Sequence, residues 1–156
     1  MDEIDDYQYT KHEKKAMELF KSGRNCSQSV LVAFADETDL DMELSLKLAS
    51  SFGAGMGGLR SVCGAVSAML MVVGIKQGFT DVKDKDGKAA HYKLIQEMTD
   101  KFQAQAGSII CKDLLSLKDK SDIPVISERT EKYYTERPCE RLVGLAARII
   151  DEYLEK

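Results

Sequence analysis

Apolar residues recur at helical spacing along most of this chain, and no run alternates apolar and polar residues with the period of a strand. Capping residues or a proline mark where helices should begin. The predicted helix starts are Thr10, Asn25, Asp41, Ser61, the end of the polar loop 80–87, Ser108 and Pro138. The pattern predicts an all-α protein, a compact bundle of about six helices, forming a single domain over residues 1–156.

The longest nearly apolar stretch, residues 62–75, is 14 residues long. A membrane-spanning helix needs about 20 apolar residues, so this stretch is predicted to be a buried core helix without a membrane span. The sequence opens with MDEIDDYQYT, which is acidic where a secretory or transit signal would be basic. A net charge of −4 without a basic stripe argues against a nucleic-acid partner. We therefore expect a cytoplasmic protein.

Four dispersed cysteines, Cys26, Cys63, Cys111 and Cys139, each fall in the first turn of a predicted helix. Unpaired amides and the positive end of the helix dipole stabilise a thiolate there, and a thiolate is both a nucleophile and a metal ligand. A free cysteine can also serve as a small buried hydrophobic residue. The helix-start position that all four share favours chemistry over packing alone. Basic neighbours in the sequence are Arg24, Arg60, Lys112, Arg137 and Arg141.

Two further features bear on how the thiols are reached. The glycine-rich residues 53–58 are interpreted as a mobile turn that leaves Cys63 accessible. His91 shares a helix face with Met98 and Phe102, so it is a candidate proton carrier or extra ligand, or else a boundary histidine with a structural hydrogen bond. Residues 118–137 are polar, contain Pro124 and are predicted to be the least regular region.

Asn25-Cys26, the glycine-rich approach to Cys63-Gly64-Ala65, and the later Cys111 and Cys139 together resemble a known family. This is the C_GCAxxG_C_C family of bacterial and archaeal redox-active proteins, which carry four cysteines and a CGAxxG motif. The resemblance runs from residue 25 to the C-terminus, and it implies a prokaryotic redox-active protein whose four cysteines form the site. One departure is plain, because Ala68 stands where the motif ends in glycine.

Three functions remain open at this point. In the first, a thiol–disulfide oxidoreductase or electron-transfer protein, Cys63 attacks a redox partner or small oxidant and a second cysteine resolves the intermediate. In the second, Cys26, Cys63, Cys111 and Cys139 together bind zinc or an iron–sulfur cluster. In the third, the chain is a non-catalytic helical interaction module and the thiols only pack. A homo-oligomer is compatible with all three.

Overall fold

Six helices of eight residues or more form the framework of the computed structural model, which describes residues 7–156. They are α1 (Lys11–Lys21), α2 (Cys26–Ala33), α3 (Met42–Ser50), α4 (Gly64–Gln77), α5 (Lys85–Ala106) and α6 (Cys139–Leu154). Within residues 7–156 there is no β-strand, only one isolated antiparallel bridge. The prediction of an all-α bundle of about six helices is confirmed.

The first three long helices begin at the caps that the sequence indicates. The side chains of Thr10 and Asn25 accept hydrogen bonds from the backbone amides of Glu13 and Gln28, and the backbone amides of Thr10 and Asn25 donate in return to the side-chain oxygens of Glu13 and Gln28. Asp41 caps α3 in the same way without the return bond. Each cap satisfies amides that a helix start otherwise leaves without partners. Local chemistry alone therefore positions these helix starts.

Helix α4 forms the centre of the core and packs against α2, α5 and α6, while α1 lies along α6. Its buried side chains include Val66, Met69 and Val72, as expected for the apolar stretch 62–75. Three fully buried phenylalanines from other elements pack in the same cluster: Phe20, Phe34 and Phe102. Among the helices of the described residues, none is both long and apolar enough to cross a membrane.

Four elements depart from the sequence expectation. The polar region 118–137 contains a 3-10 turn at Lys120–Asp122 and a short helix at Glu131–Glu136. A short helix also forms at Ala35–Thr38, whereas the short helix Cys111–Leu114 was expected after Ser108. Helix α5 begins inside the predicted loop 80–87, since the Asp84 carboxylate accepts a hydrogen bond from the amide of Gly87.

The segment Gly53–Gly57, interpreted from sequence as a mobile turn, folds into a hydrogen-bonded turn with left-handed backbone angles. Ala54 (φ 56°) and Met56 (φ 72°) both adopt this conformation, which costs a non-glycine residue about 1–2 kcal/mol. A Cβ atom on Gly55 would lie 2.6 Å from the Cα of Arg60, so glycine is required there. The turn therefore packs closely against the backbone of Arg60 and Ser61, which leads toward α4.

Candidate functional site: four thiols and a cationic cleft

All four cysteines are free thiols, and each lies at the start of a helix. Cys26, Cys111 and Cys139 are the first residues of their helices, and Cys63 is the N-cap of α4. The predicted helix-start positions are therefore observed, although Ser61 and Ser108 lie just outside the helices that they were expected to cap. What differs among the four thiols is the environment that the fold builds around each one.

Backbone pairing joins the chain before α4 to the chain before the Cys111–Leu114 helix. The amide of Cys63 donates to the carbonyl of Ile109 at 2.8 Å, and the amide of Cys111 donates to the carbonyl of Ser61 at 2.6 Å. These two bonds belong to the isolated antiparallel bridge between the segments. Cys63 and Cys111 are thereby held next to each other in the tertiary structure.

Gly64 allows the start of α4 to approach α2 closely. A Cβ atom at Gly64 would lie 2.8 Å from the carbonyl oxygen of Phe52 and 3.3 Å from the Cβ of Cys26. The glycine of the CGA motif thus has a steric role beside two of the cysteines. Ala68, at the position of the motif's closing glycine, is fully buried in the core.

Cys26 and Cys139 both line one cleft of about 430 Å³. A hydrogen bond from the Cys26 thiol is the main cause that lowers the pKa of Cys139 to about 7, and Arg137, Arg129 and Arg60 lower it further. The same hydrogen bond, together with burial, raises the pKa of Cys26 well above its ordinary value. Cys139 is therefore the thiol of the pair that ionises near neutral pH.

Cys63 and Cys111 have the opposite electrostatic character. Cys63 is 5% exposed, and burial raises its pKa to about 12 although the amides of Ala65 and Val66 favour its thiolate. Burial also raises the pKa of Cys111, against the opposing effect of Arg60, whose Nη1 donates to the sulfur at 3.7 Å. The expectation that Cys63 is the accessible thiol is wrong, because Cys63 is buried in the core and the cleft opens on Cys26 and Cys139 instead.

Three arginines line the cleft: Arg60, Arg129 and Arg137. The guanidinium of Arg129 lies 4.8 Å from the centre of the Tyr133 ring, and that of Arg137 lies 4.3 Å from the same ring. Within the described part of the chain, no aspartate or glutamate lines the cleft and none of the three arginines forms an ion pair. The cleft is therefore positively charged.

Two of these arginines were noted from the sequence because they stand close to cysteines, but Arg129 was not. Arg60 and Arg137 were noted beside cysteines, whereas Arg24, Lys112 and Arg141 do not line the cleft. Arg129 and Tyr133 come from the polar region 118–137, where no spacing or motif sets them apart. A long-range fold contact brings Arg129 to the site, since its Nη1 and Nη2 donate to the carbonyls of Phe20 and Arg24.

The two histidines lie outside this site. His12 is buried between Asp36 and Asp151, at 2.8 and 2.6 Å, and Asp151 lies near the end of α6 opposite to Cys139. His91, considered from sequence as a proton carrier or ligand, packs edge-on against Phe79 and does not line the cleft. Both histidines thus have structural surroundings remote from the thiol pair.

The alternative hypothesis, a metal centre held by Cys26, Cys63, Cys111 and Cys139, finds no preassembled site among the described residues. Over residues 7–156, no group of three or more His, Cys, Asp or Glu side chains is placed so that it could hold a metal ion. A zinc or iron–sulfur site needs all of its sulfurs about 2.3 Å from a metal atom. Cys26 and Cys139 line the cleft, whereas Cys63 and Cys111 do not.

A comparison with protein-family models matches residues 24–153 to the family described as "Putative redox-active protein (C_GCAxxG_C_C)". The matched region contains all four cysteines, the CGA motif and every residue that lines the cleft except Gly23. Neither a search of curated proteins nor a search of solved structures gave a match.

Proposed function

The chain belongs to the C_GCAxxG_C_C family of redox-active proteins, and from this premise we propose that it is a thiol–disulfide oxidoreductase in which Cys139 attacks and Cys26 resolves. The observation that carries the proposal is that Cys26 and Cys139 line one cleft together with three arginines. The pKa of Cys139, lowered to about 7, supports it. A thiol with that pKa is about half thiolate at neutral pH. The neighbouring thiol stays protonated and serves as the resolving group.

The reaction follows from these two protonation states. The Cys139 thiolate attacks one sulfur of a disulfide substrate, forming a mixed disulfide and releasing the other half of the substrate as a thiolate. Cys26 then gives up its proton and attacks the Cys139 sulfur, so that the remaining half leaves as a thiol. The substrate disulfide gains two electrons, and the protein gains a Cys26–Cys139 disulfide. A reduced thiol partner reverses both steps and restores the dithiol.

Position and electrostatics both favour Cys139 over Cys63 as the attacking group. A nucleophilic thiol must be ionised and reachable, and Cys63 is buried with a pKa of about 12. Cys139 is only half-buried and lies where three guanidinium groups favour its thiolate. The first turn of α6 adds the helix dipole to these cations.

Oxidation with a neutral disulfide tests this proposal without involving the charge of the cleft. The fully reduced protein is treated with 2-hydroxyethyl disulfide at pH 7, and the products are mapped by mass spectrometry of peptides. We expect a Cys26–Cys139 disulfide and two equivalents of released 2-mercaptoethanol. Cys26→Ala should stop at a mixed disulfide on Cys139, and Cys139→Ala should react only slowly.

Matched variants of the other two thiols complete the design. Cys63→Ala and Cys111→Ala should each still form the Cys26–Cys139 disulfide at a rate close to that of the unchanged protein. A Cys63–Cys111 disulfide as the main product would contradict the proposal. The proposal would also be contradicted if Cys139 in the folded protein reacted no faster than Cys139 in the urea-unfolded chain. That result would favour the hypothesis of a non-catalytic interaction module.

A further inference from the structure

The cleft beside Cys139 carries positive charge that the described protein does not neutralise. Arg60, Arg129 and Arg137 line it without a carboxylate among them in residues 7–156. The first residues of α2 and α6, Cys26 and Cys139, also face it, so two positive helix ends add to the field. A concave site lined by charge of one sign concentrates ligands of the opposite sign.

Arg60 supplies an independent indication of a ligand. Its side chain is 4% exposed, and its Nε atom is buried without a hydrogen-bond partner in the described residues. Its other nitrogens donate to neutral groups, the carbonyl of Pro124 at 3.0 Å and the sulfur of Cys111 at 3.7 Å. A buried cation with an unpaired donor is costly unless an anion compensates it. Cys111 does not compensate it, since burial raises the pKa of that thiol.

The dimensions and lining of the cleft fit a small molecule. Its volume of about 430 Å³ lies within the range of about 300–1,000 Å³ that is usual for small-molecule sites. Tyr133 stacks with Arg129 and Arg137, which restricts the orientation of both guanidinium planes. Val125 and Ile126 line the cleft while 61% and 88% exposed, so they offer an apolar surface to the body of a ligand.

We propose that this cleft is an anion-recognition site, in which Arg129 and Arg137 bind the carboxylate or sulfonate of a small disulfide substrate beside the Cys139 sulfur and the buried charge of Arg60 adds to their attraction. The inference rests on the proposed function and narrows its substrate class to anionic low-molecular-weight disulfides. Guanidinium groups suit this task because their planar N–H groups match the oxygens of a carboxylate or sulfonate. Neutral and cationic disulfides of the same size should react more slowly.

Two alkylating reagents that differ in charge test for the anion site. Iodoacetate and iodoacetamide react with the same Cys139 thiolate, so the ratio of their rates does not depend on the pKa of that thiol. Relative to the urea-unfolded chain, we expect this ratio to rise about tenfold or more in the folded protein at low salt. Raising the salt concentration should lower the ratio, and inorganic sulfate should lower it further at equal ionic strength.

Two arginine variants of equal charge change locate the effect. Arg137→Gln should lose most of the iodoacetate preference, whereas Arg141→Gln should retain it. Arg141 is exposed and lies two residues after Cys139, but it does not line the cleft. Equal ratios in both variants and in the unchanged protein would overturn the proposal.

Comparing an anionic with a neutral disulfide shows whether the cleft recognises a substrate or only binds a free anion. Dithiodiglycolate, an anionic disulfide, should oxidise the Cys26–Cys139 pair faster than 2-hydroxyethyl disulfide, and Arg137→Gln should remove the difference. Sulfate binding is measured separately by the rise in Tm, which should occur in the unchanged protein and in Arg141→Gln but not in Arg137→Gln. If that pattern is found but the two disulfides react equally fast, the cleft binds an anion that is not the substrate, and the assignment fails. If both disulfides react only as slowly as with the unfolded chain, the proposed function fails, and the sulfate shift of Tm alone then decides whether the cleft binds anions.

Discussion

The two halves of the cysteine set occupy contrasting regions, although each cysteine begins a helix. Cys26 and Cys139 open on a cationic cleft and share a hydrogen bond that makes one of them acidic. Cys63 and Cys111 lie along a backbone bridge, where burial raises the pKa of both. All four thiols lie at helix starts, and Cys63 and Cys111 also accept hydrogen bonds, so the difference shows that desolvation outweighs these contributions at both of them.

The largest expected effect is the difference in reactivity between the two regions. At pH 7 iodoacetamide should modify Cys139 at least about a thousandfold faster than Cys63, because a thiol with a pKa near 7 is about half ionised and one near 12 is almost wholly protonated. Mass spectrometry of labelled peptides from the native protein measures both rates. Comparable rates at the two thiols would remove the contrast altogether.

The next effect concerns the glycine that lies between the two regions. Gly64→Ala should destabilise the protein by about 1–3 kcal/mol, because the new Cβ would press on the carbonyl of Phe52 and on Cys26. Gly74→Ala in the same helix is the matched control, since nothing lies within 4 Å of its added Cβ. That control should gain about 0.5–1 kcal/mol from the higher helix propensity of alanine. Urea unfolding measures both changes, and equal effects would rule out the steric role of Gly64.

A smaller effect tests the hydrogen bond within the cleft pair. Cys26→Ala should raise the pKa of Cys139 toward its ordinary value, because the main cause of its lowering is removed. Alkylation of Cys139 at pH 7 should then slow about tenfold, whereas its rate at high pH should change little. Cys26→Ser keeps a hydrogen-bond donor and should restore much of the low pKa. A pH–rate profile that is the same for all three proteins would show that the arginines alone set this pKa.

The smallest effect is the dependence of stability on alkaline pH. The pKa of Cys63 is raised in the folded state. The contribution of this thiol to the free energy of unfolding is therefore fully present below the ordinary thiol pKa and is lost as pH rises toward 12. Between those values the free energy of unfolding should fall by up to about 1.4 kcal/mol per pH unit. Cys63→Ala should therefore lose less stability than the unchanged protein between pH 8 and pH 9.5 in urea unfolding.

Cys139→Ala is the control of opposite sign for this pH dependence. Its folded-state pKa is lowered, so the thiolate contributes stability above the ordinary thiol pKa, and that contribution is lost as pH falls through about 7. The variant should therefore lack the rise in stability just above pH 7. If the two variants changed the pH profile in the same direction, the assigned pKa shifts would be wrong.

The fold could be predicted wherever local chemistry decides it. Thr10, Asn25 and Asp41 cap their helices as expected, because a cap bond joins atoms only a few residues apart. The start of α4 was predicted near Ser61 but lies at Gly64, since the preceding residues pair with the segment around Ile110. The helix Glu131–Glu136 was missed because six residues are too few to establish a helical period.

The candidate site was predictable in its residue types but not in its arrangement. Four cysteines at helix starts could be identified from caps, glycines and Pro138. Which two thiols meet depends on the packing of α2 against α6, and a contact between distant helices leaves no mark in the spacing of either one. The choice of Cys63 as the attacking thiol assumed that its glycine-rich approach exposes the sulfur, whereas the fold buries Cys63.

The amino-acid sequence by itself determined the helical architecture, the caps and the position of every thiol at a helix start, since these follow from periodicity and from short-range hydrogen bonds. Only the tertiary structure decided which thiol becomes acidic and where the arginines gather. Burial, hydrogen bonding between Cys26 and Cys139, and the approach of Arg129 from the polar region all join residues far apart in the chain. Because a pKa depends on the whole surroundings of a group, the same local position yields opposite shifts at Cys139 and Cys63.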